Sequence, residues 1–282
     1  MTGAERERAQ PQRGEGFTDA VMFSFGDRDA GVYGLARLGI SGPQGSALAV
    51  LFSGGEPAGV VAEGGVELSE GAGWETLELP GLSATVDVAL QRWRVRMDAP
   101  ESEGFELIFE AISDPADFAA GGMAGYEQLC RVSGTAAGRP VDCLGQRGHS
   151  WGAPDWSRID RTRSVAAWLE DGSALALGAI RPAGAADHAA EEVWATLIDA
   201  GGVLPVAEPR LSTTYDGDGH QRRAGIELWM DEEEGFPHRG SGHVLCGSSL
   251  ELGSLRLDCS FFAWRLDGRE GVGRYDVLRR AT

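Results

Sequence analysis

The sequence predicts an all-β protein built as two antiparallel β-barrels or strongly curved sheets. Three observations lead there. Short apolar runs alternate with polar residues or are rich in β-branched side chains, and Gly, Asp and Pro bound them. The chain has 42 glycines, among them the pairs Gly54-Gly55, Gly64-Gly65 and Gly201-Gly202, which suit tight turns better than helices. A stretch near the start of the chain also reappears about halfway along it.

Taken in order, residues 1–16, MTGAERERAQPQRGEG, read as a disordered charged tail without the apolar stretch of a secretion signal. Strands are expected at 32–40, 47–52, 84–90, 92–97, 105–111, 165–169 and 174–180. Short helices are expected only near 115–120 and 188–192. Ser24-Phe25-Gly26-Asp27-Arg28-Asp29 matches Ser150-Trp151-Gly152-Ala153-Pro154-Asp155, and Gly45-Ser46-Ala47-Leu48-Ala49-Val50 matches Gly172-Ser173-Ala174-Leu175-Ala176-Leu177. Both matches run in the same order, which suggests an internal duplication with its boundary near 119–122. The expected domains are therefore 17–120 and 121–282. Closed or strongly curved sheets avoid long exposed edges, and barrels of this kind commonly enclose an apolar ligand.

Composition narrows the function. A hydrophobic content of 42% suffices for a proper core, while a formal charge of −18 repels nucleic-acid backbones and anionic lipid surfaces. All 25 basic residues are Arg, so Schiff-base lysine, pyridoxal phosphate and P-loop chemistry are excluded. No cofactor is expected. No apolar run approaches the length of a spanning helix, so a soluble chain in the cytoplasm is expected, with no membrane span. Cys130, Cys143, Cys246 and Cys259 form no CxxC and read as buried reduced thiols, with no metal site. Oligomeric state is not legible.

The segment GQRGHSWGAPDW at 145–156 concentrates the reactive side chains. In the apparent repeat, Ser24/Ser150, Gly26/Gly152 and Asp29/Asp155 are shared and read as turn formers, whereas His149, Trp151 and Trp156 replace Phe23, Phe25 and Ala30. Strand alternation puts Arg147, His149 and Trp151 on one face. Imidazole moves protons near neutral pH and guanidinium binds carboxylates. The competing reading makes His149 a hydrogen-bonded core residue among structural tryptophans. GHSWG also has G-x-S-x-G spacing, but Pro154 and the β-rich continuation oppose the helix that a hydrolase elbow requires.

Gly125-Tyr126-Glu127-Gln128 through Val132-Ser133-Gly134, then Gly145-Gln146-Arg147-Gly148-His149-Ser150-Trp151-Gly152 with Asp155-Trp156, and finally Asp267-Gly268-Arg269-Glu270-Gly271-Val272-Gly273, resemble the carotenoid 1,2-hydratase (hydroxyneurosporene synthase) superfamily. The resemblance spans most of the chain from about Phe23. It implies two lipocalin-like β domains and cofactor-free hydration or cyclisation of isoprenoid or polyene substrates. One departure stands out: Gly148 lies where relatives often carry an acid.

Alkene hydration or cyclisation needs a proton donor and a pocket that tolerates a carbocation. Asp155 and Glu127 are the nearest carboxylic acids, with His149 as donor or orienter. Trp93, Trp151, Trp156, Trp168 and Trp264 are the candidate aromatic walls. A concerted cycloaddition would need only hydrogen bonds to a substrate carbonyl, from Arg147, His149 and Tyr126. The expected function is hydratase (hydro-lyase) or cyclase chemistry on a lipophilic small molecule, the alternative being a non-catalytic binder of hydrophobic molecules. Tyr215-Asp216-Gly217-Asp218-Gly219-His220 reads as a hairpin turn, and Asp231-Glu232-Glu233-Glu234 as a solvated acidic turn.

Overall fold

A computed structural model describes residues 3–11, 14–100, 102–186, 190–199, 201–230 and 235–281. It divides into two compact units, Met1–Pro154 and Asp155–Thr282. Most of the described chain is strand and very little is helix, and its two sheets form a nearly closed barrel and a half-barrel. No helix among the described residues is long and apolar enough to cross a membrane.

Unit 1 opens with a single helical turn, α1 (Gly3–Arg6), followed by β1 (Thr18–Asp27), β2 (Val32–Ser41), β3 (Gln44–Ser53), β4 (Glu56–Glu67), β5 (Thr76–Leu79) and β6 (Leu82–Val88). It continues with β7 (Arg92–Met97), β8 (Phe105–Ala111), β9 (Ala116–Ala120), β10 (Met123–Ala136) and β11 (Arg139–Gly152). The sheet order is β4-β3-β2-β1-β11-β10-β8-β7-β6-β5, with β9 paired to β10. First strand therefore meets last, with Phe23 opposite Arg147 and Val21 opposite His149. Alternate residues of β1 enter the core: Phe23 packs at 5.3 Å from Trp93 and 5.2 Å from Phe109, tilted pairs that add roughly 0.5–1.5 kcal/mol each beyond burial. The β10–β11 hairpin turns on Ala137 and Gly138, both at positive φ, the geometry that a two-residue loop demands.

Unit 2 contains β12 (Ile159–Leu169), β13 (Ala174–Pro182), β14 (Glu192–Asp199), β15 (Gly202–Pro205), β16 (Glu208–Tyr215), β17 (Gln221–Trp229), β18 (His238–Leu252), β19 (Leu255–Leu266) and β20 (Arg269–Arg280). Its order, β15-β14-β13-β12-β20-β19-β18-β17-β16, repeats the plan of unit 1, again with first strand beside last. Val165, Leu177, Ile226, Phe262, Trp264 and Tyr275 form its core, Trp264 stacking on Phe262 at 5.4 Å. Asp216 closes the β16–β17 hairpin by accepting the backbone N–H groups of Asp218 and His220, so the turn expected there forms.

Several sequence expectations need correction. The units part at Pro154 and Asp155 instead of near 119–122, because β10 and β11 are hydrogen-bonded to β8 and β1. The segments matched as repeats do not correspond: Ser24 in β1 sits opposite Gln146 and Ser150 in β11 opposite Ala20, so the two stretches start on adjacent strands of one sheet, towards opposite ends of the pairing. The second match pairs β3 with β13, whereas strand order equates β13 with β2. Gly- and Ala-rich composition produced these matches, and the kinship of the units lies in topology. Residues 116–120 are strand β9, where Ala119 and Ala124 lie opposite each other. Of the helix expected at 188–192, residues 188 and 189 lie outside the described set and Glu192 opens β14. Residues 231–234 also lie outside it. The tail is not free of structure, since it includes α1 and places Glu7 at 5% exposure.

Candidate active site in unit 1

Strand β11 presents Arg147, His149 and Trp151 at alternate positions, and its neighbours supply the rest by register. Tyr126 and Gln128 of β10 lie opposite His149 and Arg147, while Asp19 of β1 lies opposite Trp151, diagonal to His149. Gly125 permits this closeness. A Cβ there would lie 2.3 Å from the His149 carbonyl oxygen and 2.9 Å from the Phe118 ring.

His149 is fully buried, and both of its nitrogens are engaged. Nδ1 lies 3.0 Å from the Arg6 carbonyl oxygen, which can only accept, so Nδ1 carries a hydrogen. Nε2 lies 2.6 Å from Asp19 Oδ1. That contact must hold a proton whichever partner owns it, as imidazolium with carboxylate or imidazole with carboxylic acid. The other Asp19 oxygen accepts from Gln10 N at 2.7 Å and Trp74 Nε1 at 3.1 Å. Three rings stand edge-on to the imidazole, with centroids at 5.0 Å for Trp151, 5.8 Å for Tyr126 and 5.9 Å for Trp74.

Arg147, 1% exposed, lies beside this pair. Its Nη2 donates to Glu7 Oε1 and to Gln128 Oε1, both at 2.5 Å, and its guanidinium lies 5.5 Å from the ring centroids of Trp93 and Tyr126. Burial is the largest single influence and would lower the Arg147 pKa, but the charges of Glu7, Tyr126 and Cys130 together with the Glu7 hydrogen bond outweigh it, and the pKa rises. Burial pushes the Tyr126 phenol well up, so it remains a hydrogen-bond donor. The Tyr126 hydroxyl donates to Glu7 Oε1 at 2.9 Å, as does Leu90 N at 3.0 Å. Beside Trp151, an open recess of about 390 Å³ is lined by residues including Phe17, Met123, Ala124 and Pro11.

Of the residues singled out in the sequence, Arg147, His149, Trp151, Tyr126 and Trp93 come together. Glu127 does not: it lies on the opposite face of β10, bonded to Gln146. Asp155 is exposed and accepts from the Ser157 hydroxyl at 2.6 Å and its amide at 2.9 Å, bonds that lower its pKa and close a turn. Trp156, Trp168 and Trp264 belong to unit 2. Ser150 lies within strand β11, without the strand-to-helix elbow of a hydrolase. Gly148 shares the face of Glu127, so an acid at that position would point away from His149. The carboxylates come instead from Asp19 and Glu7, which the sequence reading missed. Asp19 was detectable as an acid inside the apolar run TDAVMFSF, while Glu7, Gln10 and Trp74 carried no local signal. The four cysteines are free; Cys130, Cys246 and Cys259 are buried as expected, whereas Cys143 is only partly buried.

A two-unit, lipocalin-like β fold with a buried ionisable cluster thus defines the class of protein. The chain belongs to the family defined by the domain of unknown function DUF7064, which is matched over residues 3–281. No curated protein matches it. Among solved structures, a candidate AttH (NE1406) from Nitrosomonas europaea is 14% identical with a TM-score of 0.68, over 93% of this chain and 91% of that one. CghA bound to Sch210972 is 13% identical with a TM-score of 0.67, over 94% and 89%. Kievitone hydratase from Nectria haematococca is 11% identical with a TM-score of 0.66, also over 94% and 89%. These likenesses show a shared fold.

Proposed function

We propose that the chain is a cofactor-free hydratase or cyclase of a lipophilic, unsaturated small molecule, and that its chemistry is acid–base catalysis by His149 and Asp19. The observation that carries this reading is the 2.6 Å contact between two buried groups that must share a proton, surrounded by three aromatic rings. The kievitone hydratase fold supports it, as does the recess beside Trp151, whose size falls in the range of small-ligand pockets.

The pair would deliver its proton to one alkene carbon, the π electrons forming the new C–H bond. Aromatic faces stabilise the resulting cation by roughly 0.5–2 kcal/mol each. In hydration, water adds to the cation and its surplus proton returns to the pair. In cyclisation, a second double bond of the same molecule attacks, and loss of a neighbouring proton to the pair restores neutrality. Positioned proton transfer of this kind contributes about 10²- to 10⁴-fold.

The second reading, non-catalytic binding, draws on the apolar side chains of Phe17, Met123 and Trp151 in the recess wall and on the Arg6 carbonyl satisfying His149 Nδ1. Native mass spectrometry of retained small molecules, followed by incubation of the released compound with protein in heavy-oxygen water, separates the cases. Label in the product marks hydration, and an unlabelled isomer marks cyclisation. A ligand returned unchanged would establish the binder and end the catalytic reading.

A further inference from the structure

We propose that the cradle now holding Glu7 is a binding site for the carboxylate of an apolar ligand, and that Glu7 occupies it as an intramolecular stand-in. Three donors from three elements converge on the single oxygen Oε1: Arg147 Nη2 from β11, the Tyr126 hydroxyl from β10, and Leu90 N from the β6–β7 turn. Such convergence is how proteins hold an oxyanion. Leu90 supplies its N–H from a left-handed backbone, with φ of 59°, a conformation unfavourable for a residue with a branched side chain. Local strain is thus maintained at the donor that completes the cradle.

The fit of Glu7 is incomplete. Its Oε2, and the Nε and Nη1 of Arg147, are buried without hydrogen-bond partners, although the guanidinium fork is suited to a two-oxygen grip. A carboxylate entering at a different angle could engage the guanidinium through both oxygens. Glu7 belongs to the segment that precedes the sheet, and the same segment contributes the Arg6 carbonyl and the Gln10 amide that cover His149 and Asp19. Displacing Glu7 would therefore open the anion cradle and release His149 Nδ1 together.

Arg147 and His149 are two residues apart on one strand, about 7 Å. Resting on the proton-transfer reading above, this spacing makes the substrate an unsaturated acid whose double bond lies a few bonds from its carboxylate. The carboxylate site itself does not depend on turnover.

Calorimetric titration of the full chain with octanoate and with octanol tests the site. Glu7→Ala should bind octanoate at least tenfold more tightly than the unaltered chain does, and at least tenfold more tightly than it binds octanol. Adding Arg147→Met should abolish that preference. Equal affinity for acid and alcohol, or equal octanoate affinity with and without Glu7, overturns the proposal. Should Glu7→Ala fail to fold, amide exchange in the unaltered chain serves instead: octanoate, and not octanol, should speed exchange at Gln10, and identical rates overturn it. Octanoate binding with no turnover of any unsaturated acid would leave this site standing and remove only the catalytic reading.

Discussion

Arg147 and Arg163 are both buried, and each lies on the strand pair that joins first to last in its own unit, yet their surroundings differ. Arg163 is saturated. Its Nε meets Glu191 Oε1 at 3.0 Å, its Nη2 meets the other Glu191 oxygen and the Leu211 carbonyl, and its Nη1 donates to Thr213 Oγ1 at 2.8 Å and the Tyr275 hydroxyl at 3.4 Å. Arg147 uses one nitrogen, and the carboxylate opposite it crowds three donors onto one oxygen. A buried ion pair retained for architecture satisfies its polar atoms, because each orphan costs about 1–3 kcal/mol. One that leaves them unsatisfied is a candidate for binding something else. Arg163 is thus satisfied where it stands, whereas Arg147 keeps unused donors, the feature on which the proposed carboxylate site rests.

The contrast can be sharpened by experiment. The largest effect is expected at the proton-sharing pair: Asp19→Asn and His149→Gln should each lower turnover of an identified substrate by about 10²- to 10⁴-fold in single-turnover assays. Turnover within threefold of the original would move the chemistry elsewhere. Next, Arg163→Met should destabilise the protein by roughly 3–5 kcal/mol in urea unfolding, because Glu191 is left buried and unpaired. The double replacement Glu7→Gln with Arg147→Met removes both charges and should be less destabilising; a larger loss than at Arg163 would reverse the comparison.

A further effect concerns alkaline pH. Burial raises the Cys130, Cys143 and Cys246 thiols from 9.0 to about 12. Their folded pKa exceeds the unfolded one, so the stabilisation is full below pH 9.0 and is lost as pH rises through about 12. Stability measured across that interval should fall, and Cys-to-Ala replacement should flatten the slope. The smallest effect is at Asp155, where replacement by Ala should leave turnover within twofold; a large loss there would return that carboxylate to the chemistry.

Much of the architecture was legible because strand alternation and turn chemistry are local. The hairpin turn expected at 215–220 forms, and the expected strands at 32–40, 47–52 and 92–97 lie within β2, β3 and β7. Arg147, His149 and Trp151 shared a face on sequence grounds alone, since a period of two needs no tertiary information. The partners were not legible for the opposite reason. Asp19 reaches His149 across 130 positions and Glu7 reaches Arg147 across 140, and nothing in the neighbourhood of either acid encodes such a pairing. The misplaced domain boundary has the same origin, because assigning β11 to unit 1 requires knowing that it closes against β1.

That closure bears on how the chain is made. Strand β1 is synthesised well before its hydrogen-bonding neighbour, which ends at Gly152, so everything between Thr18 and Gly152 must emerge before unit 1 can zip shut. Folding dominated by such distant pairings is slow. Until then the nascent strand edge is available to other chains, so crowded overexpression should favour aggregates of this protein more than of a helical one of equal length.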